Sequence, residues 1–284
     1  MVAVSRGRTF RWVVFGLLGF YVLAPMAASI QFSLEAGYQG RLSFTAYTQA
    51  IAEPGLAASL ITSVKVAAGA MVITLVLLVP TVILVNLRLP RWRAVLDAVS
   101  LLPLGVPAVV VVLGVLGVYR NLPDIITGTP VILALVYVIL AMPYSYRAID
   151  SGVRSLDLHT LVDASRSMGA GWGKLFSRVL LPNMRSGILA AAFLTVALSL
   201  GEYAIASIMG FMTFPVWLVS VEGNNPYVAV ALSIAALLVT WILLVALALV
   251  GSGRRRTTGF GIGLVDALDE AETSASAPGA EPVA

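Results

Sequence analysis

The chain contains no cysteine. Disulfides, thiolate catalysis and cysteine-ligated metals are therefore excluded. A single histidine, His159, leaves little material for a metal centre or a histidine base. Charge is scarce as well: 11% of the 284 residues are Asp, Glu, Lys or Arg, against about a quarter in soluble domains. Hydrophobic residues reach 59% and mean hydropathy is +0.96. A water-soluble fold cannot hide that much apolar surface, so the chain belongs in lipid. No internal repeat stands out, which weighs against carriers built from duplicated halves. Nor is there a nucleotide loop. The run Gly169-Ala170-Gly171-Trp172-Gly173-Lys174 imitates part of one, but Met168 and Leu175 stand where Gly and Ser or Thr are required. The chain is not expected to hydrolyse ATP.

What is present is a series of apolar segments. A membrane span needs about 20 mostly apolar residues. Six candidates lie near 12–34, 60–86, 95–119, 129–147, 185–210 and 228–250. The first follows Arg6, Arg8 and Arg11 as a signal peptide would, but its apolar run is long and Ala27-Ala28-Ser29 is a weak cleavage context. A retained anchor is the expectation. The net charge of +4 does not indicate nucleic acid, because the basic residues cluster at the ends of apolar segments. Arg6, Arg8, Arg11, Arg88, Arg91, Arg93, Arg147, Arg154, Arg166, Lys174, Arg178, Arg185, Arg254, Arg255 and Arg256 fall on one side of a six-span layout. Only Arg41, Lys65 and Arg120 fall on the other. The bias places both termini and the loop 148–184 in the cytoplasm. Residues 1–256 are thus expected to form one six-helix domain. Residues 257–284, rich in Gly, Ala, Ser, Asp and Glu, are expected to be a disordered acidic tail.

Within the loop 148–184, residues 155–168 have helical periodicity. Ser155 or Asp157 suits the cap. Leu158, Leu161, Val162, Ser165 and Met168 share a face. Gly169 follows where a left-handed stop is needed. A second helical stretch, 173–181, should end at Pro182. Read physically, this is a helix–turn–helix with an apolar edge, small residues at Ala164, Ser165 and Gly169, and Asp163 ready to pair with a cation. The competing reading is an ordinary interfacial helix lying on the bilayer.

The spacing favours the first reading. Asp163-Ala164-Ser165, three residues, Gly169, nine residues, Val179, one residue, Leu181-Pro182 resembles the EAA loop of permease subunits in bacterial ATP-driven (ABC) importers. Asp163 stands where the family usually has Glu, Ser165 where it has Ala, and Val179 where it has Ile. The resemblance implies an all-α polytopic membrane protein with six transmembrane helices and the type I (MetI-like) importer permease fold. It implies that Leu161, Asp163, Ala164, Ser165, Met168, Gly169, Leu181 and Pro182 form a coupling element seated in a cleft of an ATPase dimer. ATP and Mg would be used by that partner, with no cofactor or metal bound here. The further implied partners are a second permease subunit, in a heterodimer or less readily a homodimer, and an extracytoplasmic binding protein. The setting would be the bacterial inner membrane.

Polar residues inside the spans are costly and point to function. Glu202 lies in the fifth span and is expected to line the path, gate it or brace a neighbouring helix. Pro103, Gly105 and Pro107 should kink the third span, with Pro80 and Pro143 acting similarly in the second and fourth. Asp97, near the end of the third, is expected to reach water. The outer loop 211–227 carries Trp217, Glu222 and Tyr227 but no Lys or Arg. It can meet a binding protein or serve as an aromatic belt. The layout and Gly201-Glu202-Tyr203 resemble the spermidine/putrescine branch, which has relatives for aminoethylphosphonate, thiamine and ferric iron; sugar importers share the class. A polyamine path would use Glu202, Tyr203, Trp217 and Glu222 for charge and cation–π contact. The alternative of another class is a stand-alone secondary transporter.

Overall fold

The computed structural model describes residues 3–35, 42–119 and 129–252. No strand occurs among them. By internal packing, residues 1–240 form one unit and residues 241–284 another. Of the second, the helical stretch to Ser252 is described. The expected acidic tail lies outside the described residues.

Helix α1 (Ala3–Leu34) carries apolar residues all round beyond Arg11. None of the most apolar 18 residues between Phe10 and Leu34 is buried by the rest of the chain. A helix of that kind is stable where lipid or another helix covers it. Its last turn is the exception: Ser33 shares a 2.8 Å hydrogen bond with Tyr47, and Phe32 stacks on Tyr227 at 4.6 Å. Helix α2 (Thr45–Ala52) is short. Helix α3 (Leu56–Arg88) continues through Pro80 without a break. A 3₁₀ turn (Pro90–Trp92) leads into α4 (Arg93–Gly105) and α5 (Ala108–Tyr119).

The stretch 95–119 is bent where Pro103, Gly105 and Pro107 lead one to expect a kink. Helices α4 and α5 meet at 101°. Val106, immediately before Pro107, is extended at φ −103°, ψ 121°, because the proline ring excludes the helical region from the preceding residue. Helix α6 (Val131–Arg154), by contrast, absorbs Pro143 without a break. Helix α7 (Leu158–Ser167) and helix α8 (Trp172–Asn183) follow, then α9 (Arg185–Gly201), at 74° to α8. The fifth expected span, 185–210, ends early: backbone at Glu202 is extended, and α10 (Ala204–Ile208) starts afresh. Helix α11 (Phe214–Glu222) and α12 (Pro226–Ser252) complete the order. Helices α1, α3 and α6 are each long and apolar enough to cross a membrane, and the two bent pairs raise that number to five. The 27-residue α12 occupies the sixth expected segment.

Helices α3, α6 and α9 pack on one another and form the centre. Two glycines set how closely α6 and α9 approach. A Cβ on Gly187 would lie 2.8 Å from the Ala148 carbonyl oxygen and 3.0 Å from the Gly152 Cα. Small residues are how helices in lipid gain close van der Waals packing. The crossing lies where α6 ends and α9 begins, so it ties together the two ends of the segment between them.

Candidate functional site

That segment, 155–184, carries the EAA-like spacing. The Asp157 carboxylate caps α7, accepting from the Thr160 amide at 3.2 Å and its hydroxyl at 2.7 Å. These bonds, the hydroxyl's first, hold the Asp157 carboxyl below its usual pKa. Leu158, Val162 and Ser165 are buried, at the i, i+4, i+7 positions of one face. Leu161 is half-buried, whereas Asp163, Ala164, Met168 and His159 are exposed. Met168 does not join the buried face as expected. At 100° per residue it falls about 80° from Leu158, at the edge of the stripe, and it is 80% exposed.

Gly169 ends α7 at φ +77°. Its amide bonds to the Arg166 carbonyl at 2.9 Å, and the Ala170 amide to the Ser165 carbonyl at 3.0 Å. This pair of bonds is the Schellman arrangement. Helix α8 ends at Asn183, one residue past Pro182. Residues Leu175–Leu180 form a π-helical turn, with the Leu181 amide bonded back to Phe176. The wider turn makes room for a proline ring that would clash in a regular helix. Leu175 and Leu180 are buried, Leu181 half-buried and Pro182 exposed.

The segment shares a core with the membrane helices. Leu158, Val162, Leu175 and Leu180 pack in one cluster with Leu78 and Val82 of α3, Ile149 and Val153 of α6, and Ala191 of α9. Two further contacts were not legible as site features. The Arg88 guanidinium, at the end of α3, lies 4.7 Å from the Trp172 ring centre, and that of Arg166 lies 4.9 Å from it. Asp150, buried on α6, pairs with Arg154 at 2.6 Å and Arg93 at 3.7 Å. It also accepts from Asn86 at 3.3 Å. Asp97, expected to reach water, is half-buried and accepts from the Tyr146 hydroxyl. Asp97, Tyr146, Asp150 and Arg154 line an open cavity of about 520 Å³.

The other predicted residues surround the break after α9. The Glu202 carboxylate accepts from the Ile205 amide at 3.0 Å and the Ala206 amide at 3.3 Å. It also accepts from the hydroxyl of Tyr137 on α6 at 3.1 Å. It braces the start of α10, as a carboxylate at a helix N-terminus does. Trp217 is buried, and its indole donates to the Pro54 carbonyl at 3.0 Å. Gly55, at φ +89°, permits this approach, since a Cβ there would sit 2.8 Å from the indole nitrogen. Tyr203 and Glu222 are exposed. No hydrogen bond links Glu202, Trp217 and Glu222 among the described residues.

A profile of the family described as binding-protein-dependent transport system inner membrane component matches residues 81–257, more than half of the chain. The chain belongs to this family. The permease is 26% identical over 220 residues to the spermidine/putrescine transport system permease protein PotB of Haemophilus influenzae, covering 70% of this chain and 76% of that one. It is 28% identical over 235 residues to the molybdenum transport system permease protein ModB of Mycobacterium tuberculosis, covering 77% and 87%. ModB of Mycobacterium bovis matches equally. The permease is therefore a multi-pass inner-membrane subunit of an ABC importer with the type I fold, and a separate ATPase hydrolyses ATP.

Proposed function

We propose that residues 155–184 are the coupling segment through which this permease takes up the movement of an ATPase dimer. One observation carries the reading: the segment buries Leu158, Val162, Leu175 and Leu180 in the core of α3, α6 and α9 while exposing Asp163, Ala164, Met168 and Gly169 at its tip. Force applied at the tip thus reaches packed membrane helices directly. Small residues at 164 and 169 admit a partner surface, and Asp163 meets its cation. Both termini lie in the cytoplasm, on the same side as this segment, and a second permease subunit completes the pathway as a heterodimer.

The solute delivered by the binding protein is a small cation of the polyamine class. Support comes from the similarity to PotB and from exposed Glu222 and Tyr203 beside a loop without Lys or Arg. Glu202 and Trp217 act in this reading as braces of the pathway wall. The similarity to ModB favours a second reading, a molybdate-like oxyanion.

The test uses the assembled importer in proteoliposomes. Asp163→Arg and Gly169→Pro insert normally but lower substrate-stimulated ATP hydrolysis and uptake by about tenfold or more. Normal values in both variants would remove the coupling assignment. Competition of labelled putrescine uptake by molybdate, and the reverse, decides between the two solutes.

A further inference from the structure

The buried face of α7 runs from Leu158 to Ser165, in its last turn. Beyond Ser165, Ser167 off that face and Met168 at its edge are exposed, so the core does not reach the Gly169 turn. One contact does. Arg166, from the last turn of α7, and Trp172, from the first turn of α8, meet across the Gly169 turn, with the Arg166 guanidinium 4.9 Å from the ring centre. The Arg88 guanidinium, from the last turn of α3, stacks on the same ring at 4.7 Å. Neither arginine is in an ion pair among the described residues. Their charges are therefore spent on the indole, an arrangement that tolerates solvent because the ring face itself supplies the attraction. Trp172 is 43% exposed, so burial is not what fixes it.

We infer that Trp172 is a positioning residue for coupling. Clasped by Arg88 and Arg166, it fastens the tip of the coupling segment to the end of α3, so that tip and helix move as one body. The crossing at Gly152 and Gly187 already ties the segment's roots to α6 and α9. The aromatic clasp adds the third helix of the central group. All three then receive the same displacement, rather than α3 following only through side-chain packing. This inference rests on the coupling reading above, and the test separates the two.

Spin labels at Leu89 and Ser167, both exposed, report the distance from the end of α3 to the tip of α7 in the assembled importer. In the otherwise native protein that distance stays constant between nucleotide-free and ATP-bound states. In Trp172→Ala it changes by about 2 Å or more, the scale of ordinary helix shifts. Solute imported per ATP hydrolysed falls about fivefold in Trp172→Ala, the low end of typical coupling energies. Trp172→Phe, which keeps a ring face, restores most of it, and Arg88→Gln reproduces the loss. A native distance that changes with nucleotide, or full import per ATP in Trp172→Ala, would overturn the clasp while leaving the coupling segment in place. If Asp163→Arg also imports normally, it is the coupling reading itself that has failed.

Discussion

Glu202 satisfies three donors at once: the hydroxyl of buried Tyr137 and the amides of Ile205 and Ala206. A carboxylate so engaged is committed to the chain around it. Glu202→Ala strands those donors, each at a cost of about 1–3 kcal/mol if it stays buried. Glu202→Gln keeps a carbonyl acceptor and loses less. Tyr137→Phe combined with Glu202→Ala should cost less than the sum of the two, since each removes the same bond. Thermal unfolding of the purified complex measures all three. At Asp157 the exposed carboxyl is held below its ordinary value of 3.8 by Thr160. The folded pKa is depressed, so the cap is intact above that value and is lost as pH falls below it. Amide protection at Thr160 and Leu161, corrected for intrinsic exchange, should decline only under that acid condition. Asp157→Asn, still a capping residue, should flatten the dependence.

Between elements, the tightest approach of backbone to backbone among the described glycines is the α6–α9 crossing. Gly187→Ala places a methyl against backbone on the opposing helix, at 2.8 Å from a carbonyl oxygen and 3.0 Å from Gly152 Cα. Neither neighbour is a side chain that can swing away, so the helices must part. Overpacking of this kind costs about 1–3 kcal/mol. The variant should yield less assembled complex and melt at a lower temperature than Gly114→Ala, whose Cβ meets nothing within 4 Å. Melting equal to that control would show that the crossing yields freely. The prolines show how context decides: Pro107 breaks a helix, Pro80 and Pro143 do not, and Pro182 is absorbed by a π turn.

Over the whole molecule, what the sequence makes legible is whatever depends on local pattern. Apolar length marks where the helices run, and Asp157 and Gly169 mark the ends of α7. The spacing from Asp163 to Pro182 lies within the residues 81–257 that the family profile matches. What stays hidden depends on partners distant in the chain. Nothing near Glu202 announces Tyr137, 65 positions away. Trp217 reads as a belt residue until Pro54, 163 positions away, takes its indole proton. Arg88 reads as a topology signal, and only folding brings it onto Trp172. The break at 202 escapes a hydropathy reading because both sides of it remain apolar, whereas the bend at 106 falls among the prolines that mark it in the sequence.

The glycine crossing has one more consequence, which is a matter of leverage. Gly187 lies near one end of α9 and Gly201 at the other, about 21 Å apart at 1.5 Å per residue. If the close approach of Gly187 to Gly152 acts as a fulcrum, a swing of α9 by about 5° carries its far end about 2 Å. That far end is where the helix gives way at Glu202, so a small angle at the base becomes an opening of hydrogen-bond size at the break.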